Sequence, residues 1–179
     1  NSFDSVAILV PSWDGYQDVW QPFFHCFRKH WSDCPFPVFL GSNSSTYPSD
    51  RVESIEIGED VDYSTNLLAM LSEIEQAWVI LWVEDLLLDR SVEPETVNRL
   101  VNWAQQRDVA YLRLAFVPYA IIPYIASQHP DPECDLVGSL PKSARYRAGL
   151  TVGLWKKSAL QALLEPGESA WEIEQAATR

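Results

Sequence analysis

The chain has 179 residues, 47% of them apolar, and carries a formal net charge of −12 from 13 basic and 25 acidic residues. That length suits one domain with one sizeable core, so residues 1–179 are expected to form a single unit. The apolar share excludes a wholly disordered chain, and a surface this negative repels phosphate backbones, which disfavours a DNA- or RNA-binding role.

Cys26, Cys34 and Cys134 show no CxxC or Cys/His zinc spacing. They read as free thiols of a reducing cytosol. No basic region leads into an apolar run near Asn1, so no signal peptide is expected. No apolar run reaches the roughly 20 residues of a membrane span. A cytoplasmic location follows as an expectation, with peripheral membrane contact left open.

Strand and helix signals alternate along the chain. Val6 to Pro11 (VAILVP) is a short apolar run of strand type. Asp14 to Trp31 changes period: Tyr16, Val19, Trp20, Phe23, Phe24, Phe27 and Trp31 fall on one helical stripe, with Asp14 placed to cap it. Pro37 to Leu40 reads as a second strand, Gly41 to Asp50 as a loop, and Val52 to Ile57 as a half-buried strand. Tyr63 to Ile74 is helical by pattern, with Leu67, Leu68, Leu71 and Ile74 on one face. Ala77 to Val83 (AWVILWV) is an unbroken apolar run, as expected of a strand covered on both faces at the centre of a parallel sheet.

Glu93 to Asp108 predicts a helix with Pro94 in its first turn, and Val109 to Leu114 a strand. The uncharged stretch Ala115 to Ala126 is broken by two prolines and reads as core or acceptor-side lining, and Ser127 to Arg147 as loop. Leu150 to Leu154 predicts a strand, Trp155 to Leu164 a helix, and Gly167 to Ala177 a closing helix. The alternation implies an α/β domain with a mainly parallel sheet flanked by helices.

Ligands of open α/β sheets bind outside the carboxyl ends of the strands. Ser12, Trp13 and Asp14 follow the first run, Gly41, Ser42 and Asn43 the second, Gly58, Glu59 and Asp60 the third, and the sharpest feature, Glu84-Asp85, halts the central apolar run. Buried carboxylates need a counter-charge, and Mg²⁺ or Mn²⁺ supplies one through hard oxygen ligands; a solvated turn is the bland alternative. GxGxxG, GxxxxGK[ST] and GxSxG motifs are absent. His25, His30 and His129 read as structural or surface groups. Glu165, Glu168, Glu172 and Glu174 crowd around Trp171. They read either as an acidic exposed helix face or as the source of a general base beside a tryptophan that shapes a sugar or apolar surface. Among the eight tryptophans, Trp13, Trp155 and Trp171 fall at element ends and are candidates for a cleft.

The order of these segments resembles small bacterial glycosyltransferase-like proteins of the GT-A type. The resemblance rests on VAILVPSWDGYQDVWQPFF, PFPVFLGSN, DYSTNLLAML, WVILWVEDLLL and YRAGLTVGLWKKSALQALLEPGESAWEIE, and runs from about Ser5 to Glu174. It implies a GT-A-like (Rossmann-like) fold. It also implies a metal-dependent transfer of a hexosyl group from a nucleotide-sugar donor to a hydroxyl of a glycan or glycolipid acceptor.

In the family a DxD-type motif follows the central strand and holds the metal on the donor diphosphate. Glu84-Asp85 occupies that place but departs from Asp-x-Asp. The resemblance makes Asp85 the ligand of Mn²⁺ or Mg²⁺ and Glu84 a donor or metal contact. It makes Ser12, Asp14, Ser42, Ser64 and Asn66 nucleotide contacts, and Arg145 or Arg147 a stabiliser of the leaving diphosphate. The acceptor-activating carboxylate is Glu174 by first choice and Glu172 by second. With one carboxylate acting only as base, inversion is the simplest outcome.

Two other readings stay open. One is a non-catalytic carbohydrate- or nucleotide-sugar-binding or interaction protein on a degenerate GT-A fold. The other, a nucleotidyltransferase, is disfavoured because VPSWDGYQD lacks a glycine- and Lys/Arg-rich phosphate loop.

Overall fold

The opening apolar run forms β1 (Val6–Pro11), and every residue in it is buried. A strand carries side chains to both faces in turn, so an unbroken apolar run is stable only where both faces are covered. The computed structural model, which describes residues 2–114, 129–142 and 147–176, shows that cover. Val6, Ile8 and Val10 of β1 join one core cluster, and Ala7 and Leu9 join the other. The stretch 115–126 and Arg145 lie outside the described residues.

The first cluster is packed by α1 (Gln17–His30) and α3 (Pro94–Gln106), the second by α2 (Tyr63–Ser72), α4 (Lys157–Leu163) and α5 (Ala170–Ala176). Trp20, Phe23, Phe24 and Phe27 form the buried stripe of α1. Tyr16 departs from that expectation: it closes a short 3-10 turn, Asp14–Tyr16, ahead of the helix and is exposed. Nor does Asp14 cap α1. The N-cap position is Tyr16, with no side-chain bond, and the Asp14 carboxylate turns to a neighbouring loop. Asp62 caps α2, its Oδ1 accepting from Thr65 N at 2.8 Å.

Six strands form the main sheet in the order β3-β2-β1-β4-β8-β5. Here β2 is Val38–Ser42, β3 Glu53–Glu56, β4 Trp78–Trp82, β5 Tyr111–Arg113 and β8 Val152–Lys156. The pairs β1–β2, β2–β3 and β1–β4 are parallel, and β8 runs antiparallel to both β4 and β5. The sheet is therefore mixed but mostly parallel. The fully buried strand β4 lies between a parallel and an antiparallel neighbour.

Gly41 and Ser42, expected in the loop, end β2. A Cβ on Gly41 would lie 2.2 Å from Met70 Sδ, so the bare backbone lets α2 pack close. Trp155 and Lys156 likewise belong to β8 rather than to the helix expected there.

The expected loop after residue 127 holds a hairpin, β6 (His129–Asp131) and β7 (Cys134–Ser139). Its short polar strands lack a clean alternation: only Cys134 and Val137 of β7 are buried. An ion pair from Arg99 to Asp135 at 2.5 Å, and another from Arg107 to Glu133, join it to α3. The three cysteines are free, and burial pushes the Cys34 thiol up to about 11. Among the described residues, no helix is long and apolar enough to cross a membrane.

Candidate active site

The strands β1 and β4 are parallel, so the segments leaving both of them emerge at one edge of the sheet. A cleft of about 880 Å³ opens there. Its lining includes Ser12, Trp13 and Tyr16 after β1, Asp60, Tyr63 and Asn66 around the start of α2, and Val83 to Leu86 after β4. Leu150 and Thr151 before β8, and Trp171 and Glu174 on α5, complete the far wall. Among the described residues, no lysine or arginine lines it.

Glu84 and Asp85 both face this cleft, Glu84 buried at 7% exposure and Asp85 exposed. The orientation of Glu84 is determined by counting donors. An indole N–H can only donate, so Trp20 Nε1 gives its proton to Ser12 Oγ at 2.8 Å. The single proton of Ser12 must then point elsewhere, and it is donated to Glu84 Oε1 at 2.7 Å. Burial raises the Glu84 pKa, the Ser12 bond works against that rise, and the neighbouring Asp85 charge adds to it. Among the described residues, no basic side chain pairs with either carboxylate.

Asp14 builds a second fixed feature beside this one. Its Oδ1 accepts from Asn43 N at 3.0 Å and Ser45 N at 3.3 Å, and its Oδ2 from Ser44 Oγ at 2.8 Å. Asn43 Oδ1 returns the contact by accepting from Asp14 N at 3.1 Å. Desolvation opposes ionisation of Asp14, but the donors of Ser44, Asn43 and Ser45 together outweigh it and hold the pKa at about 2. Ser42 Oγ donates to Ser45 O at 2.6 Å and braces the same loop. The loops after β1 and β2 are thus tied together, although Asp14 and Ser42 do not line the cleft.

The remaining candidates divide. Asn66 lines the cleft, donating from Nδ2 to Asp60 Oδ1 at 2.6 Å. Ser64 is buried outside the lining, and Arg147 is half-buried outside it. Glu174 lines the cleft, with Oε1 accepting from Leu150 N at 2.8 Å. A Cβ on Gly149 would meet Arg113 Nη2 and Glu174 Oε1 at 3.2 Å each, so the missing side chain leaves room for that corner.

Glu172 is engaged elsewhere. Its Oε2 accepts from Ser169 N at 2.8 Å and Ser169 Oγ at 2.7 Å, a capping arrangement for α5 that lowers its pKa. Trp13 and Trp171 reach the cleft, whereas Trp155 is core, its ring 4.3 Å from that of Tyr111.

Asp60, which follows the third strand, was reached by the strand-end rule. Tyr16, Tyr63 and Thr151 were missed as site residues, because tertiary packing brings them in and leaves no local signal.

Glu84 and Asp85 suit a hard divalent cation. They are adjacent oxygen donors beside a cleft, and the Glu84 carboxylate is buried with no lysine or arginine paired to it among the described residues. Such ions take one or two carboxylates and complete their shell with water and substrate phosphate. Among the described residues, no group of three or more His, Cys, Asp or Glu side chains could hold a metal by itself.

No protein-family model matches the chain, and no curated protein matches it in sequence. Solved structures do match in fold. A 1–349 fragment of TarS from S. aureus aligns with a TM-score of 0.60 and 13% identity over 97% of this chain and 54% of that one. The mannosyltransferase PcManGT from Pyrobaculum calidifontis, in complex with GDP-Man and Mn²⁺, aligns with a TM-score of 0.59 and 13% identity over 97% and 50%. The 2-C-methyl-D-erythritol 4-phosphate cytidylyltransferase of Thermus thermophilus aligns with a TM-score of 0.50 and 12% identity over 97% and 84%. The chain spans about half the length of the first two structures named. At these identities the likeness is one of fold, and the fold is the GT-A-like α/β arrangement that the sequence resemblance implied.

Proposed function

We propose that the chain is a glycosyltransferase domain of GT-A-like fold that moves a hexosyl group from a nucleotide-sugar donor to a hydroxyl acceptor. The observation that carries this reading is the Glu84-Asp85 pair at the carboxyl end of the buried strand β4, facing the cleft with no basic partner among the described residues. The TarS fragment also matches in its complex with UDP-GlcNAc, at a TM-score of 0.54 and 13% identity over 97% of this chain and 53% of that one. That complex and the GDP-Man complex of the mannosyltransferase make a nucleotide sugar the first donor class to try.

In this reading Asp85 and Glu84 hold Mn²⁺ or Mg²⁺. When bound, the ion neutralises charge on the donor diphosphate. Ser12 keeps Glu84 turned to the cleft, and Trp20 keeps Ser12 turned to Glu84. The Asp14 clamp presents the β1 and β2 loops as one rigid rim, against which the nucleoside is held beside Trp13 and Tyr16. Asn66 contributes from the α2 side and Ser42 braces the loop after β2 from behind the lining, while the buried Ser64 is given no part in this reading. Arg147 lies outside the lining and is likewise given no part. Glu174, steadied by the Leu150 amide, takes the proton of the acceptor hydroxyl. The acceptor oxygen then bonds to the anomeric carbon, the bond from that carbon to the diphosphate oxygen breaks, and its electron pair leaves on the diphosphate. One carboxylate acting as base gives inversion.

Calorimetry with UDP and GDP in Mn²⁺, paired with nucleotide-sugar turnover, tests the reading. Asp85→Ala is expected to lower turnover by about a hundredfold or more. It should also remove the Mn²⁺-dependent part of nucleotide binding. Equal turnover in the variant overturns the metal assignment. Donor binding without transfer to any acceptor would favour the non-catalytic binding module.

A further inference from the structure

Strand β5 ends the sheet on the side away from β3 and pairs antiparallel with β8, Tyr111 opposite Trp155 and Arg113 opposite Gly153. Side chains two apart on a strand share a face. Tyr111 packs against the cluster that holds Trp155 and, from α5, Ile173. Arg113 is therefore carried on the face that meets α5.

Two glycines keep that face open. A Cβ on Gly153 would lie 2.5 Å from the Tyr111 ring, and one on Gly149 would lie 3.2 Å from both Arg113 Nη2 and Glu174 Oε1. The guanidinium and the carboxylate thus flank a single backbone point. The Tyr111 phenol lies in the field of both: burial raises its pKa first, the Arg113 charge lowers it, and the Glu174 charge raises it.

The two groups differ in what they can reach. Glu174 lines the cleft and Arg113 does not, so Arg113 acts on a ligand there only through Glu174. Glu174 Oε1 accepts from Leu150 N at 2.8 Å. One amide on one oxygen leaves the carboxylate free to turn about that bond. A guanidinium presents several N–H groups in one rigid plane and supplies the second constraint that a single orientation requires. Glu165, Glu168 and Glu172 lie close by in sequence, so a cation behind Glu174 also offsets like-charge repulsion in this part of the chain.

We propose that Arg113 is the positioning residue of Glu174: it stands behind the carboxylate and holds it against the Leu150 amide with the second oxygen turned to the cleft. That the oriented oxygen serves as a base rests on the transferase reading; the coupling of the two side chains does not.

Two measurements on the 179-residue chain test this. The first is hydrogen exchange of the Leu150 amide, followed by NMR in the ligand-free wild type, Arg113→Met, Glu174→Gln and the double variant. Arg113→Met is expected to speed Leu150 exchange by about tenfold, and Arg113→Lys by less. In the Glu174→Gln background Arg113→Met should add less than about twofold, because both changes break one arrangement. Amides of β1, two strands away from β8, are the reference, since a general loss of stability moves them together with Leu150. If Arg113→Met does not fold, Arg113→Lys and Gly149→Ala take its place in the comparison. Gly149→Ala keeps both charges and puts a methyl group between them.

The second measurement is turnover of UDP-GlcNAc and GDP-Man with Mn²⁺. Arg113→Met should lower kcat by about tenfold or more and leave the donor KM within about twofold, with part of kcat recovered in Arg113→Lys. The proposal is overturned if the effects of Arg113→Met and Glu174→Gln on Leu150 are additive, or if Leu150 exchange rises only as far as that of β1. It is also overturned if donor KM rises while kcat holds. Coupling at Leu150 together with full turnover in Glu174→Gln leaves the paired side chains standing and removes Glu174 as the base, which separates the failure of the transferase reading from the failure of the coupling.

Discussion

The two sides of the cleft differ in how their polar groups are used. On the β1–β2 side most of the hydrogen-bonding capacity is taken up inside the protein: Trp20 on Ser12, Ser12 on Glu84, and Asp14 on the Asn43–Ser45 loop, with Asn43 Nδ2 the exception among the described residues. On the β8–α5 side the Thr151 and Tyr63 hydroxyls are buried without partners among the described residues, and Trp171 stands in solvent. Buried polar groups are normally paired, so an unpaired one at a cleft wall marks capacity held for a ligand. The first side is shaped before anything binds, and the second is completed by what binds.

Breaking the locked side should give the largest effect on stability. Ser12→Ala removes the acceptor of Trp20 Nε1 and the donor to Glu84 Oε1 in one step. Both groups are then left in a poorly solvated place, at a cost of about 2–3 kcal/mol measured by urea unfolding. The Ser12 bond lowers the Glu84 pKa, so its loss should move that group further up. A raised carboxyl pKa favours the folded state while the group is protonated and penalises it as pH rises. The deficit of the variant should therefore be greater at pH 8 than at pH 5. A loss under about 0.5 kcal/mol, as for an ordinary surface change, would show that the chain of three groups is not coupled.

Much of this locked side was legible in the sequence, and most of the open side was not. The run Ala77 to Val83 announced β4 because a strand covered on both faces has no polar residue to interrupt it. Its abrupt end at Glu84-Asp85 then pointed at the site. Ser12 was reached by the same strand-end logic. The orientation of β8 was not legible, since a buried apolar strand reads the same in either direction. The hairpin β6–β7 was missed because its strands are short, polar and irregular in register. The resemblance ranked Glu174 ahead of Glu172, but no local pattern separates the two. Only the folded chain shows one capping α5 through Ser169 and the other reaching the Leu150 amide. Tyr63 and Thr151 enter the cleft because α2 and the approach to β8 pack there, a long-range outcome that no local pattern records.

A smaller effect is expected from loosening the clamp between the two loops. Asp14→Asn keeps the shape but removes the charge that gathers the Asn43, Ser44 and Ser45 donors. The Asp14 pKa is held at about 2 against an ordinary 3.8, so the clamp is ionised in the folded state well below the point at which the unfolded chain takes up its proton. Its stabilisation is complete above the ordinary value and is lost as pH falls towards 2. Melting temperatures of the wild type and Asp14→Asn should therefore differ at pH 6 and converge between pH 4 and pH 2. A gap that stays constant to pH 2 would mean that shape, not charge, ties the loops. If Asp14 instead touches the nucleotide directly, Asp14→Asn should weaken UDP or GDP binding at pH 7 beyond what the loss of stability explains.

The smallest effect, and the one of opposite sign, belongs to the open side. The Tyr63 hydroxyl is buried at the cleft without a partner among the described residues. Burial first, and then the nearby charges of Glu84 and Glu174, push its pKa up. The folded chain therefore carries an uncharged phenol whose hydrogen-bonding capacity was satisfied by water before folding. Tyr63→Phe removes that uncompensated desolvation and keeps the ring against its neighbours. Urea unfolding should show the variant as stable as the wild type or more stable by up to about 1 kcal/mol. Ser12→Ala, by contrast, destabilises, and two hydroxyl deletions at one cleft would then differ in sign because one hydroxyl is engaged and the other is not. A loss of about 1 kcal/mol or more in Tyr63→Phe would show that the phenol is already engaged in the ligand-free protein and that both sides of the cleft are locked alike.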